Sequence, residues 1–221
     1  MLKKSALNLL FVLIVLTGCS SGEKGVSVNK EPIEDVEEIV INFASTDVNF
    51  LPSEKSELET YLTAYDNGPG VILDKSSERL SIDLGNDIRR LFPSRKKPTL
   101  EVKIPHQFKG EIILDGSSGS VSGKNLVQNN IDVRSSSGNI ELHFKELNGD
   151  VEISTTSGNA SVTFDEEQPN LDLEIGTNSG KQSINLSLSE KSQTKKGLKG
   201  SSGNGENKVN VETKSGNINL N

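Results

Sequence analysis

SSSGNIELHFKELNGDVEISTTSGNASVTF, residues 135–164, contains one phrase twice. Ser137-Gly138-Asn139 leads into the alternating run Ile140-Leu142-Phe144, and Ser157-Gly158-Asn159 into Ala160-Val162-Phe164. Apolar side chains at every second position are the mark of a strand with one buried and one wet face. Between the two phrases lies another such run, Val151-Ile153, entered through Asn148-Gly149-Asp150. A unit of about 20 residues therefore holds two or more short strands and two turns. The glycines are expected to supply the positive φ of a tight turn, with Ser and Asn side chains bonding to the backbone beside them.

The phrase recurs outward from this stretch, at Ser118-Gly119-Ser120, Ser179-Gly180-Lys181 and Ser215-Gly216-Asn217, with a further copy at Ser202-Gly203-Asn204. Matching runs precede it (Ile131-Val133, Leu171-Leu173-Ile175, Val209-Val211) or follow it (Ile184-Leu186-Leu188, Ile218-Leu220). Two architectures fit: a meander of antiparallel hairpins, or a β-solenoid whose equivalent strands stack in parallel. The likeness of successive coils favours the solenoid, because stacking sets like on like. The expected fold is thus all-β, a single-stranded β-helix or β-solenoid with an irregular β lead-in. Between Leu188 and Val209 the pattern fails in KSQTKKGLKGSSGNGENK, expected to be a protruding loop or a degraded coil. Residues 217–220 form a good final strand with no polar cap, an exposed edge that invites self-association. Upstream, residues 36–105 are strand-like but irregular, with room for a short helix between Ser53 and Thr63, and belong to the same sheet system.

The composition agrees with thin β layers. Of 221 residues 32% are hydrophobic and 4% aromatic, too few large side chains for a wide α/β core. A net charge of −7 argues against nucleic acid, whose phosphates need a basic footprint. One cysteine excludes a disulfide framework and a multi-cysteine zinc site.

The N-terminus reads as an address. Lys3 and Lys4 precede an apolar run from Ala6 to Leu16, then Leu16-Thr17-Gly18-Cys19. A basic start, a short apolar stretch and small residues at the cut form a secretory signal, and the run is too short to span a bilayer. These residues resemble the signal and lipobox of bacterial lipoproteins. The resemblance implies cleavage before Cys19, diacylglycerol on its sulfur, and a place on the extracytoplasmic side of the cell membrane. The expected organisation is a signal peptide over 1–18, a lipidated cysteine with a flexible tether over 19–35, and a β-domain over 36–221.

The early run Val40 to Phe50, the extended Val102-Lys103-Ile104-Pro105 and the Ser-Gly coils from Ser117 onward resemble a bacterial domain family catalogued as "putative adhesin". The resemblance implies a β-helix outside the membrane, with envelope-stress operons as the setting of some members. It defines no catalytic residues. The lysine-rich insertion departs from the family pattern.

Candidate chemistry is sparse. Glycoside hydrolysis needs two carboxylates about 5–9 Å apart; Glu141 with Glu152, and Asp132 with Asp150, lie on polar faces of neighbouring strands. His106 and His143 read as surface residues. No nucleophile, phosphate-loop, calcium-loop or metal-ligand spacing occurs, so no cofactor is expected. Two basic clusters stand out: Arg89, Arg90, Arg95, Lys96 and Lys97 around Leu91 and Phe92, and Lys191, Lys195, Lys196 and Lys199 in the insertion. On an anchored protein these suit anionic headgroups or a cell-wall polymer. The expected function is a non-enzymatic, lipid-anchored binding module; an accessory to a membrane-protein partner and a carbohydrate-active enzyme are the alternatives.

Overall fold

The computed structural model describes residues 24–65, 70–84 and 97–221. The signal segment, Cys19 and the cluster members Arg89, Arg90, Arg95 and Lys96 lie outside the described residues. The described chain is all strand and turn. Its strands are β1 (Lys24–Pro32), β2 (Glu38–Ala44), β3 (Asp47–Ser53), β4 (Glu57–Tyr65), β5 (Val71–Lys75), β6 (Arg79–Leu84), β7 (Thr99–Pro105), β8 (Glu111–Gly116), β9 (Val121–Leu126) and β10 (Asn130–Ser135). They continue as β11 (Ile140–Phe144), β12 (Val151–Thr155), β13 (Ala160–Phe164), β14 (Leu171–Ser179), β15 (Gln182–Ile184), β16 (Ser189–Gln193), β17 (Gly197–Ser202), β18 (Asn207–Ser215) and β19 (Ile218–Leu220).

Two sheets stack face to face. One runs β1-β4-β7-β3-β9-β11-β13-β19-β15, the other β16-β17-β14-β18-β12-β10-β8-β2-β6-β5. The Ser-Gly phrases at 118–119, 137–138, 157–158, 179–180 and 215–216 are corners at which the chain leaves the second sheet for the first, whereas Ser202-Gly203-Asn204 joins β17 to β18 within the second sheet. Pairing along the middle of the stack is parallel and sets like on like: Ile112, Ile131, Val151, Val209 and Leu173 form one inner ladder. Leu114, Val133, Ile153, Val211 and Ile175 form the next. All ten are buried, as are the facing Val121, Ile140, Ala160 and Ile218. Phe144 and Phe164 stack at 5.6 Å between ring centres. Ile, Val and Leu side chains from the two sheets fill the core together with Phe43, Phe50, Phe108, Phe144 and Phe164.

The corner glycines are needed for a different reason from the expected one. Among the described glycines positive φ occurs only at Gly203 and Gly205. At Gly138, Gly158, Gly216 and Gly180 a Cβ would lie 1.8–1.9 Å from the carbonyl oxygen of Gly119, Gly138, Gly158 and Gly216 respectively. Each corner rests on the backbone of its neighbour, and only hydrogen fits between them. An asparagine ladder bonds the same corners: the Asn139 side chain accepts from Asn159 N–H, Asn159 from Asn217 N–H, and Asn217 from Lys181 N–H.

That ladder also shows that the chain does not wind steadily upward. The coil β18–β19 lies between β12–β13 and β14–β15, paired in parallel on both sides. The expected exposed C-terminal edge is therefore an interior position. The other end repeats the arrangement, with β2–β3 next to β8–β9 and the later β6–β7 outside them.

Antiparallel strands close three of the four sheet edges, at β1, β5 and β16, while β15 closes the fourth in parallel. The lysine-rich insertion is neither loop nor degraded coil but the hairpin β16–β17, whose Leu198 is buried opposite Ile175. Ser53 to Thr63 contains no helix; Glu57–Tyr65 is β4, with Leu58, Thr60 and Leu62 turned inward. Lys24–Pro32, expected as part of a flexible tether, is a strand paired with β4 over its full length. Its side chains are mostly exposed, so backbone pairing and charge hold it, and neither leaves an apolar pattern in the sequence.

Candidate functional site

The outward faces of both sheets are polar ladders. On the first sheet Asn49, Ser122, Glu141, Ser161, Asn219 and Ser183 stand in one row. On the second, Asp132 faces Glu152, and Glu152 faces Asn210. Glu141 and Glu152 thus belong to opposite faces of the molecule, and the expected proximity of that pair does not hold. Asp132 sits instead beside Glu152. Burial pushes the Asp132 carboxyl above the usual range against the pull of Arg134, which bonds to it, and Glu152 pushes the same way as burial.

The two histidines are apart. His143 Nε2 lies 2.7 Å from Asp165 Oδ1, above a shallow depression formed where β9 bulges at Asn125. His106 Nδ1 lies 3.4 Å from Glu54 at the end of β7. Among the described residues no group of three His, Cys, Asp or Glu side chains is placed to hold a metal ion.

Near β1 a charge cluster clamps the end of the stack. The fully shielded Glu59 carboxylate receives Lys55 at 2.8 Å, Lys30 at 3.0 Å and the Tyr61 hydroxyl at 3.0 Å. The Lys55 bond, with that of Lys30, holds its pKa down to about 2. Lys103 lies over the Tyr61 ring at 4.7 Å. Sequence reading missed this cluster because Lys30 of β1 and Lys103 of β7 reach Glu59 and Tyr61 of β4 only through strand pairing, and the residues share no motif.

Of the sequence-selected cations, Lys97 is exposed just before β7. The lysines of the insertion gather at the other end of the stack: Lys191 in β16, Lys195 and Lys196 in the hairpin turn, Lys199 in β17. The turn is fixed by Thr194, which accepts from Gly197 N–H at 3.0 Å. Beneath it, on the outer face of β14, β17 and β18, lies a groove of about 590 Å³. Its walls carry Lys196, Lys199, Lys214, Glu174 and Glu212, with Ser154, Ser192 and Thr194 supplying hydroxyls. Lys199 is bound to Glu174 at 2.7 Å. Among the described residues Lys196 and Lys214 form no ion pair. Thr155, 4% exposed, contributes to the lining, and its hydroxyl has no hydrogen-bond partner.

A known structure shares the architecture. The crystal structure of a "putative cell adhesion protein" from Clostridium sporogenes superposes with a TM-score of 0.68 at 18% identity, over 90% of this chain and 98% of that one. A "putative adhesin" from Bacteroides fragilis gives 0.36 at 10% identity, over 89% and 97%. One from Parabacteroides merdae gives 0.35 at 15% identity, over 88% and 80%. No curated protein matches by sequence. The family described as Toastrack DUF4097 matches residues 111–221.

Proposed function

The chain belongs to the Toastrack DUF4097 family, and from that premise we propose that it is a non-enzymatic, extracytoplasmic binding module of the bacterial cell envelope, anchored by lipid on Cys19. The observation that carries this reading is the placement of the chain's two ends of interest. Residue 24, five residues after Cys19, begins the outermost strand at one end of the stack. The lysine hairpin and its groove close the other. The nine-stranded sheet, at a spacing of about 4.8 Å, puts roughly 38 Å between β1 and β15, which shares a coil with the strand β14 that the hairpin pairs with. An anchored molecule of this build holds its groove away from the bilayer, beyond the reach of a surface potential that decays within about 10 Å. That favours a wall polymer over headgroups as the partner of the hairpin lysines. The polar ladders on both faces suit display, and the name of the Clostridium protein points the same way.

The test is retention of purified residues 20–221 on isolated cell walls, with and without their anionic polymers, at low and high salt. Salt-sensitive retention on polyanion-bearing walls alone is the expected result; absence of retention on any wall refutes the reading. Cys19→Ala is expected to move the protein from the membrane fraction to the medium and to abolish labelling with a fatty acid.

A second reading, an accessory to a membrane-protein partner, draws on β1. That edge strand exposes Val26 at 58% and Val28 at 48%, at the end nearest the anchor. Crosslinking from Val28 in intact membranes to a discrete protein band is its expected signature.

A further inference from the structure

The groove contains a glycine that the fold does not explain. Glycine inside a strand costs stability, and where it persists something usually approaches its backbone closely. Most strand glycines here have an internal reason. A Cβ on Gly116 or Gly123 would strike the rings of Phe43 or Phe50 within 3 Å, and one on Gly197 would lie 2.7 Å from the Ile175 carbonyl oxygen. Gly200 is tight at 3.1 Å, and Gly25 belongs to the exposed edge strand β1. Gly176 stands in the sheet interior, paired with Gly197 on one side and Glu212 on the other. Its nearest neighbours to a Cβ are 3.9 and 4.0 Å away, and its φ is not positive. The structure has room for a side chain there and leaves it empty, on the floor of the groove.

We propose that this groove binds a linear polyanion, a hydroxylated chain bearing spaced phosphodiester or carboxylate groups, laid over Gly176 with Lys196 and Lys214 as its counter-charges. The proposal rests on the reading of the chain as an envelope-binding module and names the ligand class of its far end. Charge complementarity selects the occupant. Lys196 and Lys214 lack ion partners among the described residues, and Lys191 and Lys195 add two more cations on the same hairpin. Glu174 is held by Lys199 at 2.7 Å. Glu212, whose Cγ lies 4.0 Å from the Gly176 Cβ position, keeps anionic groups off the floor and accepts hydroxyl bonds there. A chain that alternates hydroxylated links with anions meets both conditions; a densely charged one does not. A volume of about 590 Å³ is within the range of small-ligand sites.

Binding of fluorescent poly(glycerol phosphate), polygalacturonate and neutral dextran to the purified chain tests this. The phosphate and carboxylate polymers distinguish the two sources of anion, and dextran reports uncharged glycan binding. Binding of at least one anionic polymer is expected, weakened about tenfold by Gly176→Gln and by Lys196→Glu with Lys214→Glu, and lost at high salt. Gly176→Ala serves as the folding control, and Lys214→Gln replaces Gly176→Gln if that variant fails to fold. Equal binding of dextran, or undiminished anionic binding by these variants, overturns the proposal. Wild-type retention on walls that the groove variants share would remove the groove and leave the module; loss of wall retention altogether would remove both.

Discussion

Gly158 and Gly176 are the same residue type in the same sheet system and carry opposite expectations. At Gly158 an added methyl meets a carbonyl oxygen at 1.9 Å, so Gly158→Ala is expected to cost about 2–4 kcal/mol, read as a drop in the urea midpoint. At Gly176 the methyl has ordinary contacts, so Gly176→Ala is expected to stay within about 0.5 kcal/mol of the parent. Asn159→Ala removes the acceptor of the Asn217 N–H and is expected to cost about 1 kcal/mol by the same measurement. The Ser-Gly-Asn phrase was readable in the sequence as a corner, but its glycine was assigned to turn geometry. At the corners between sheets the cause is contact with the next coil, which no local pattern encodes, while Gly203, in the turn between β17 and β18, does have the positive φ of a tight turn.

Strands whose inner faces alternate, such as β10 to β13, were legible because a buried ladder leaves a period of two. Those at the two ends were not. The Leu198 of β17 is its one large buried side chain, with Gly200 beside it, and β1 turns Ser27, Asn29 and Glu31 toward the stack. Both strands close an end by backbone pairing. For β1 the Glu59 clamp adds the charge that pins Lys30 to its neighbour strand. Glu59 has a folded pKa of about 2 against 4.5 when unconstrained, so its contribution is fully present above pH 4.5 and fades as pH falls through 2. The urea midpoint of the wild type is expected to decline over that interval. Glu59→Gln should start lower and show a shallower decline, with faster proteolysis of residues 24–32.

Repetition predicted the stack but not its order. Val151, Val209 and Leu173 are equivalent in kind, so the sequence contains nothing that tells which lies in the middle. The groove was half legible: its lysines stood out by composition, while Gly176 and Lys214 joined them only through the crossing of β14, β17 and β18. Because the last coil is internal, removing residues 207–221 strips partners from β12, β13, β14 and β15 together. The expected result is loss of the cooperative thermal transition, with aggregation on size exclusion. Deleting residues 24–32 should leave a lower but still cooperative melt. Val211→Ala, a single cut in the same coil, should cost about 2 kcal/mol.

The interior position of β18 and β19 also makes assembly of the stack non-sequential, because β14 and β15 come earlier in the chain than the coil they pack against. Until residues 207–221 are in place, β12 and β13 on one side of the gap and β14 and β15 on the other keep open strand edges, which are pairing sites for another chain. A chain clipped before residue 207 cannot close that gap.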